Sequence, residues 1–431
     1  MKKLIAISVV FALAAGVAFA VDVSGNVIGT VNFLEGNSGK QANDDANPIG
    51  ASASMNRIRI EGSGENDDGT FGGWVRFQPD WGFQGPDQGK ASQAWGYAWW
   101  KPIDVLKLGI GGNPDGFYGK EGVTGWMFYQ MVSDTGVVNA GNVWGGGYGP
   151  VIFRNAFYGG FGDAALHLTI SPAEIVDINI AVPFWANNGD NLPEGKAAYI
   201  FKRTNAQLDF KLDFGNIALT YVGNENKLGF DMDEKDPYKM ADASPGTIFA
   251  YFGLTSIENL GLDVGLGFPL PVTNDDDEDI TITRNSPIAF GVGVKYVAGD
   301  FGVKARVVAS FAGSVKIDAD GAPDPLNDPF LLTADVLPFY NVSESLRIFF
   351  SAGLGMTGAT EKNEDWGIAE AGDSVVAWHI NPYVEVGNEW GPTFYAGLRI
   401  WSDGVKGTDA AGKEIAAIVN WAVPIAIGIS F

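Results

Sequence analysis

From residue 21 onward the apolar residues of this chain keep falling on every second position, and that period commits the chain to β-strands rather than helices. Val176, Ile178, Ile180 and Val182 alternate with Asp177, Asn179 and Ala181, and Ala206, Leu208, Phe210 and Leu212 alternate with Gln207, Asp209, Lys211 and Asp213. Leu260, Leu262, Val264, Leu266 and Phe268 repeat the pattern, as do Phe301, Val303, Ala305 and Val307, then Leu346, Ile348, Phe350, Ala352 and Leu354. Successive side chains of a strand point to opposite faces, so each segment has one apolar and one polar face.

Alternation alone does not choose between a soluble sheet, whose apolar face meets a core, and a membrane barrel, whose apolar face meets lipid. Connection lengths separate the two. Eighteen strand-like segments run from 21–34 to 415–431. The connections at 35–50, 80–90, 113–163, 185–203, 224–245, 270–286, 312–329, 356–374 and 402–414 are long, and they alternate with short ones such as 102–104, 172–173, Gly215 and 341–343. Nine long and eight short connections place both termini on the short-turn side, a parity that a soluble sandwich has no reason to keep. Stretches 151–161 and 196–201 also have strand character, so the count spans 16 to 20.

The first twenty residues read as a secretory signal: Lys2 and Lys3, an apolar run over 4–17 too short to span a bilayer as a helix, then Ala18, Phe19 and Ala20 as a small-residue cleavage site. Residues 21–431 remain as one domain. The chain has no Cys, which excludes disulfides, thiolate metal sites and a lipoprotein anchor. A formal charge of −23 makes nucleic acid a poor partner.

Val419, Trp421, Val423, Ile425, Ile427, Ile429 and Phe431 form an unbroken alternate row that ends on an aromatic residue. Together with the loop asymmetry and the signal, this resembles the bacterial outer-membrane porin-like β-barrels. The resemblance implies an all-β, transmembrane, antiparallel up-and-down barrel of about eighteen strands, passing many times through the outer membrane in contact with its lipid. It also implies recognition of the last strand, through Phe431, by the barrel-assembly machinery, and it offers a homotrimer as precedent. The function implied is passive diffusion of small hydrophilic solutes or ions, without a cofactor or a bound metal.

Strand phase then assigns the lumen. The basic residues on polar faces are Arg57, Arg59, Arg76, Lys107, Lys211, Lys295, Lys304, Arg306, Arg347 and Arg399; the acidic ones are Asp177, Asp209, Asp213, Asp263, Asp335 and Glu385. The wall is therefore mixed and slightly basic, and the acid excess lies in connections such as 231–236 and 275–279. Arg57, Arg59 and Arg76 sit on one hairpin and need counter-charges or water opposite them. Trp74, Trp95, Tyr97 and Trp99 share the polar phase and form a candidate stacking track for sugars, whereas Trp99, Trp100 and Trp401 can equally be read as girdle residues at the membrane interface. The aromatic-rich connection 113–163 is the candidate constriction. His167 and His379 fall on lumen faces without a motif for nucleophilic or metal chemistry, so the chain reads as no enzyme. Three other readings stand beside the porin: a carbohydrate-type selective channel, a non-conducting adhesin or structural barrel, and a secreted soluble β protein.

Overall fold

The computed structural model describes residues 21–39, 49–79, 92–112, 165–183, 204–223, 374–387 and 392–402, together with most of 246–358 and of 404–430. The signal segment 1–20, the connection 113–163 and Phe431 lie outside the described residues, as do the side chains of Arg57 and Trp95.

The period-two segments form long strands: β1 (Val21–Asn37), β2 (Ile49–Glu65), β3 (Phe71–Pro79), β4 (Ser92–Ile103), β5 (Leu106–Gly111), β6 (Ala165–Ala173), β7 (Val176–Pro183), β8 (Asn205–Leu212) and β9 (Gly215–Gly223). The series continues with β10 (Gly246–Leu254), β11 (Leu260–Pro269), β12 (Ala289–Ala298), β13 (Phe301–Ser310), β14 (Phe330–Ser343), β15 (Leu346–Gly358) and β16 (Ser374–Gly387). Next comes β17, which is broken at Leu398 into Pro392–Gly397 and Arg399–Ser402, and last β18 (Asn420–Ser430). The main sheet counts nineteen strands, and because two of them are halves of β17 the wall has eighteen staves. Each stave pairs antiparallel with its neighbours in sequence, and β1 pairs with β18 from Asn26↔Ser430 to Asn37↔Asn420, so the sheet closes on itself. Eighteen strands about 4.8 Å apart, tilted by about 40°, make a ring about 36 Å across.

Eight connections are short and nine are long, and the short ones join β2–β3, β4–β5 and so on to β16–β17. Their positions differ slightly from the sequence reading. Pro102, Ile103, Pro172 and Ala173 stay in strands, Gly215 opens β9, and 341–343 end β14. The turns themselves are Asp104 and Val105, Glu174 and Ile175, Asp213 and Phe214, and Glu344 and Ser345. Proline is tolerated because a strand end needs no ladder bond from it. Gly299, at φ 58°, makes the left-handed turn after β12 that a side chain would strain.

A second difference concerns two long connections. Val272–Asp277 and Ile280–Asn285 from one, with Ser314–Asp318 and Leu326–Asn327 from the next, pair into a separate four-stranded sheet on the long-loop side. These strands run for only two to six residues, and Val272–Asp277 is almost wholly polar, which is why the sequence reads them as irregular.

The two faces of the ring differ in chemistry. Outward positions expose Val75, Phe77, Ile110, Leu166, Leu208, Phe210, Ile217, Leu219, Val307, Ile348, Phe350, Ile380, Ile425, Ile427 and Ile429, among others. So uniform an apolar belt has hydrocarbon as its solvent, and closure satisfies the backbone groups that hydrocarbon would leave unpaired. Among the described residues no helix is long and apolar enough to cross a membrane; crossing here is by strands.

Candidate functional site: the charged inner wall

On β2 to β5 the inward positions are those out of phase with exposed Ile60, Val75, Phe77 and Ile110. They carry Arg59, Glu61, Trp74, Arg76, Tyr97, Trp99 and Lys107. Register brings Glu61 opposite Arg76, and Glu61 forms an ion pair with Arg76 and a second, at 3.5 Å, with Arg59. Glu61 is thus the counter-charge that the basic hairpin requires, a residue that the sequence reading missed although it lies two positions from Arg59 in the same phase. Arg76 also stacks over Trp74 at 5.0 Å. Lys107 lies 4.7 Å above the Trp99 ring, and Lys101 lies 5.1 Å from it.

Tyr97 behaves differently from its tryptophan neighbours. Its ring is buried, packs edge-on against His167 at 5.3 Å, and occupies the space over Gly109. His167 donates from Nε2 to the Gly111 carbonyl at 2.8 Å, which fixes the ring pair. The Trp74, Tyr97 and Trp99 row is therefore interrupted by a buried member. Trp99 and Trp401 face inward, while Trp100 is exposed on the outer surface, where a girdle residue would be.

Across β6 to β9 directly paired residues form a belt of hydrogen bonds. Thr169 Oγ1 donates to Asn179 Oδ1 at 2.9 Å, Asn179 Nδ2 to Gln207 Oε1 at 3.3 Å, and Gln207 Nε2 to Thr220 Oγ1 at 2.8 Å. One row nearer the short turns, Asp177 accepts from Ser171 at 2.7 Å and pairs with Lys211 at 2.5 Å. Asp209 and Asp263 face inward and are buried; Asp213 lies in the turn after β8 rather than on the wall.

The sector from β12 to β17 is layered. Nearest the short turns, Arg347 pairs with Glu385 at 3.6 Å and donates from Nε to Asn341 Oδ1 at 2.8 Å. Arg347 also lies 5.6 Å from the Phe349 ring, which stacks on Tyr383 at 4.6 Å. Lys304 stands directly opposite Lys295 in the next row. Deeper still, Arg306 and Asp335 are paired across β13 and β14 with both side chains wholly buried. Arg399 lies 4.0 Å over the Trp401 ring.

In that deep layer Ser351 Oγ is 3.2 Å from His379 Nε2, and His379 Nδ1 and Asp335 Oδ1 both lean over Gly353, where an added methyl would collide with them. Ser351 and His379 stand as a nucleophile and a base would, but no hydrogen bond from His379 Nδ1 to Asp335 orients the imidazole. The setting is not that of an active site: Ser351, His379 and Asp335 are all buried, and Asp335 is clamped by Arg306. Pairings across three strands create this cluster, so no local motif announces it. Among the described residues no group of His, Cys, Asp or Glu is arranged to hold a metal.

No protein-family model matches the chain, and no curated protein sequence matches it. Solved structures similar to this chain include three porins and channels. An anion-selective porin from Comamonas acidovorans has 12% identity and a TM-score of 0.48, covering 95% of this chain and 100% of its own. OmpF of Salmonella typhi, in complex with daunomycin, has 11% identity and a TM-score of 0.47, covering 96% and 98%. The outer membrane channel DcaP of Acinetobacter baumannii has 10% identity and a TM-score of 0.45, covering 96% and 98%. Values this low carry no weight on function, and the architecture rests on the closed ladder itself.

Proposed function

We propose that this chain is an outer-membrane porin, a passive diffusion channel for small hydrophilic solutes or ions. The observation that carries the reading is the inversion of the ring: an apolar outside and an inside of paired, hydrogen-bonded charged and polar groups. A polar wall inside a lipid-facing ring of this width has water as its natural counterpart. On this reading Arg57, Arg59, Lys107, Lys304, Arg347, Arg399 and Glu385 line the pore, Arg76, Arg306, Asp209 and Asp263 form the buried part of its wall, 1–20 is removed on export, and 113–163 narrows the bore.

One observation favours a second reading. Tyr97, His167, Gln207, Asp263, Asp335 and His379 face inward yet are buried, so the free bore is narrower than the ring. A non-conducting adhesin or structural barrel would also have a covered wall. Single-channel recording of the refolded protein in a planar bilayer decides between them. Stable ohmic steps are expected; insertion without conductance would overturn the porin reading and leave the structural barrel.

A further inference from the structure

The five lysines of the barrel strands are not spread along the wall. Lys101, Lys107, Lys211, Lys295 and Lys304 all face inward, and none lies more than three residues from the short-turn end of its strand. At about 3.4 Å per residue, all five fall within about 10 Å of one mouth. Arg347 joins them, one residue into β15. The lysines stand on β4, β5, β8, β12 and β13 and Arg347 on β15, so together they form an interrupted ring around the bore.

The carboxylates that face inward in the same band are Asp22, Glu65, Asp177, Asp209, Asp263 and Glu385, of which Asp209 and Asp263 are buried, leaving four with solvent access beside the six cations. In the Lys211–Asp177 and Arg347–Glu385 ion pairs the cation is the more exposed partner: Lys211 is 54% exposed and Asp177 17%, Arg347 39% and Glu385 21%. Asp209 and Asp263 in this band, and Arg76, Arg306 and Asp335 deeper in the wall, are buried, so they contribute little to what a passing ion meets. The accessible charge of the described inner wall is therefore positive and concentrated at the short-turn mouth.

Turn tips carry acids at the same end, including Asp104, Glu174, Asp213, Asp300 and Glu344, all exposed. They project into bulk water, where fields are screened within about 8 Å at physiological salt. Charges on a bore with low-dielectric walls act on an ion more strongly, because the walls focus the field.

We propose that this lysine ring makes the barrel select for small anions at its short-turn mouth, with screening of the tip acids leaving the ring to set the sign. The inference rests on the pore reading above. Its test is the reversal potential of the refolded protein in a planar bilayer under a potassium chloride gradient. Chloride preference is expected, and Lys295→Gln together with Lys304→Gln should pull the reversal potential toward zero; Lys101→Gln, at an exposed position, supplies a second variant should the pair disturb folding. A conducting barrel that prefers potassium, or conducting variants with an unchanged reversal potential, would overturn the anion inference while leaving the pore intact. A barrel that inserts and stays silent would instead overturn the pore itself, and the inference with it.

Discussion

Arg306 donates two hydrogen bonds, from Nε at 2.8 Å and Nη2 at 2.7 Å, to a single carboxylate oxygen of Asp335 on the neighbouring strand. Both side chains are removed from solvent, so each charge depends on the other. Arg306→Met strands a buried carboxylate and is expected to cost about 3–5 kcal/mol, whereas Arg306→Met combined with Asp335→Leu should recover most of that loss. Urea titration of the protein folded into lipid vesicles checks both, and equal losses for the single and double variants would refute the pairing.

The orientation of the wall makes a prediction of its own. Ile380, on the outer face near the centre of β16, is 41% exposed and meets hydrocarbon, while its neighbours His379 and Asn381 point inward. Ile380→Arg should destabilise the folded barrel by about 2–4 kcal/mol in vesicles. A negligible effect would show that this face is not set in the bilayer core.

Eighteen staves and the nine-against-eight pattern of connections are legible in the sequence because side-chain alternation is a local property of each strand. Residues such as Arg76, Arg306 and Glu385 likewise declare their face by phase alone. What phase does not convey is which neighbour each side chain meets. Glu61 bridging two arginines, Tyr97 folding over Gly109 and the Ser351, His379 and Asp335 cluster all arise from register between strands, and register is set by the whole ring. The four-stranded sheet outside the barrel escapes for a different reason, since its strands run for only two to six residues, too few for alternation to declare a face.

Burial of Tyr97 bears on solute choice. Stacking tracks work when successive rings are exposed, and here the middle ring is covered by its contact with His167. Linear oligosaccharides added to an open channel are expected to produce no concentration-dependent block. Tyr97→Ala should lower stability rather than alter conductance. A saturable block that Tyr97→Ala abolishes would restore the sugar track.

The Ser351 and His379 contact permits a direct chemical check. With Ser351 wholly enclosed, a fluorophosphonate probe should leave the folded protein unlabelled, even after long exposure. Labelling that Ser351→Ala removes would mean that the cluster opens and that the barrel carries hydrolytic chemistry.

The seam has a consequence for how the chain is made. Strands β2 to β17 can each find both neighbours in the order in which they are synthesised, whereas β1 finds its second neighbour only in β18. Throughout translation and transit, then, the earliest strand and the newest one both present unsatisfied edges to any other copy nearby. Stickiness is thus a matter of timing: the hazard lasts until Asn420–Ser430 arrives, and shortening or delaying that one segment would leave every other ladder intact and the molecule still unable to live alone.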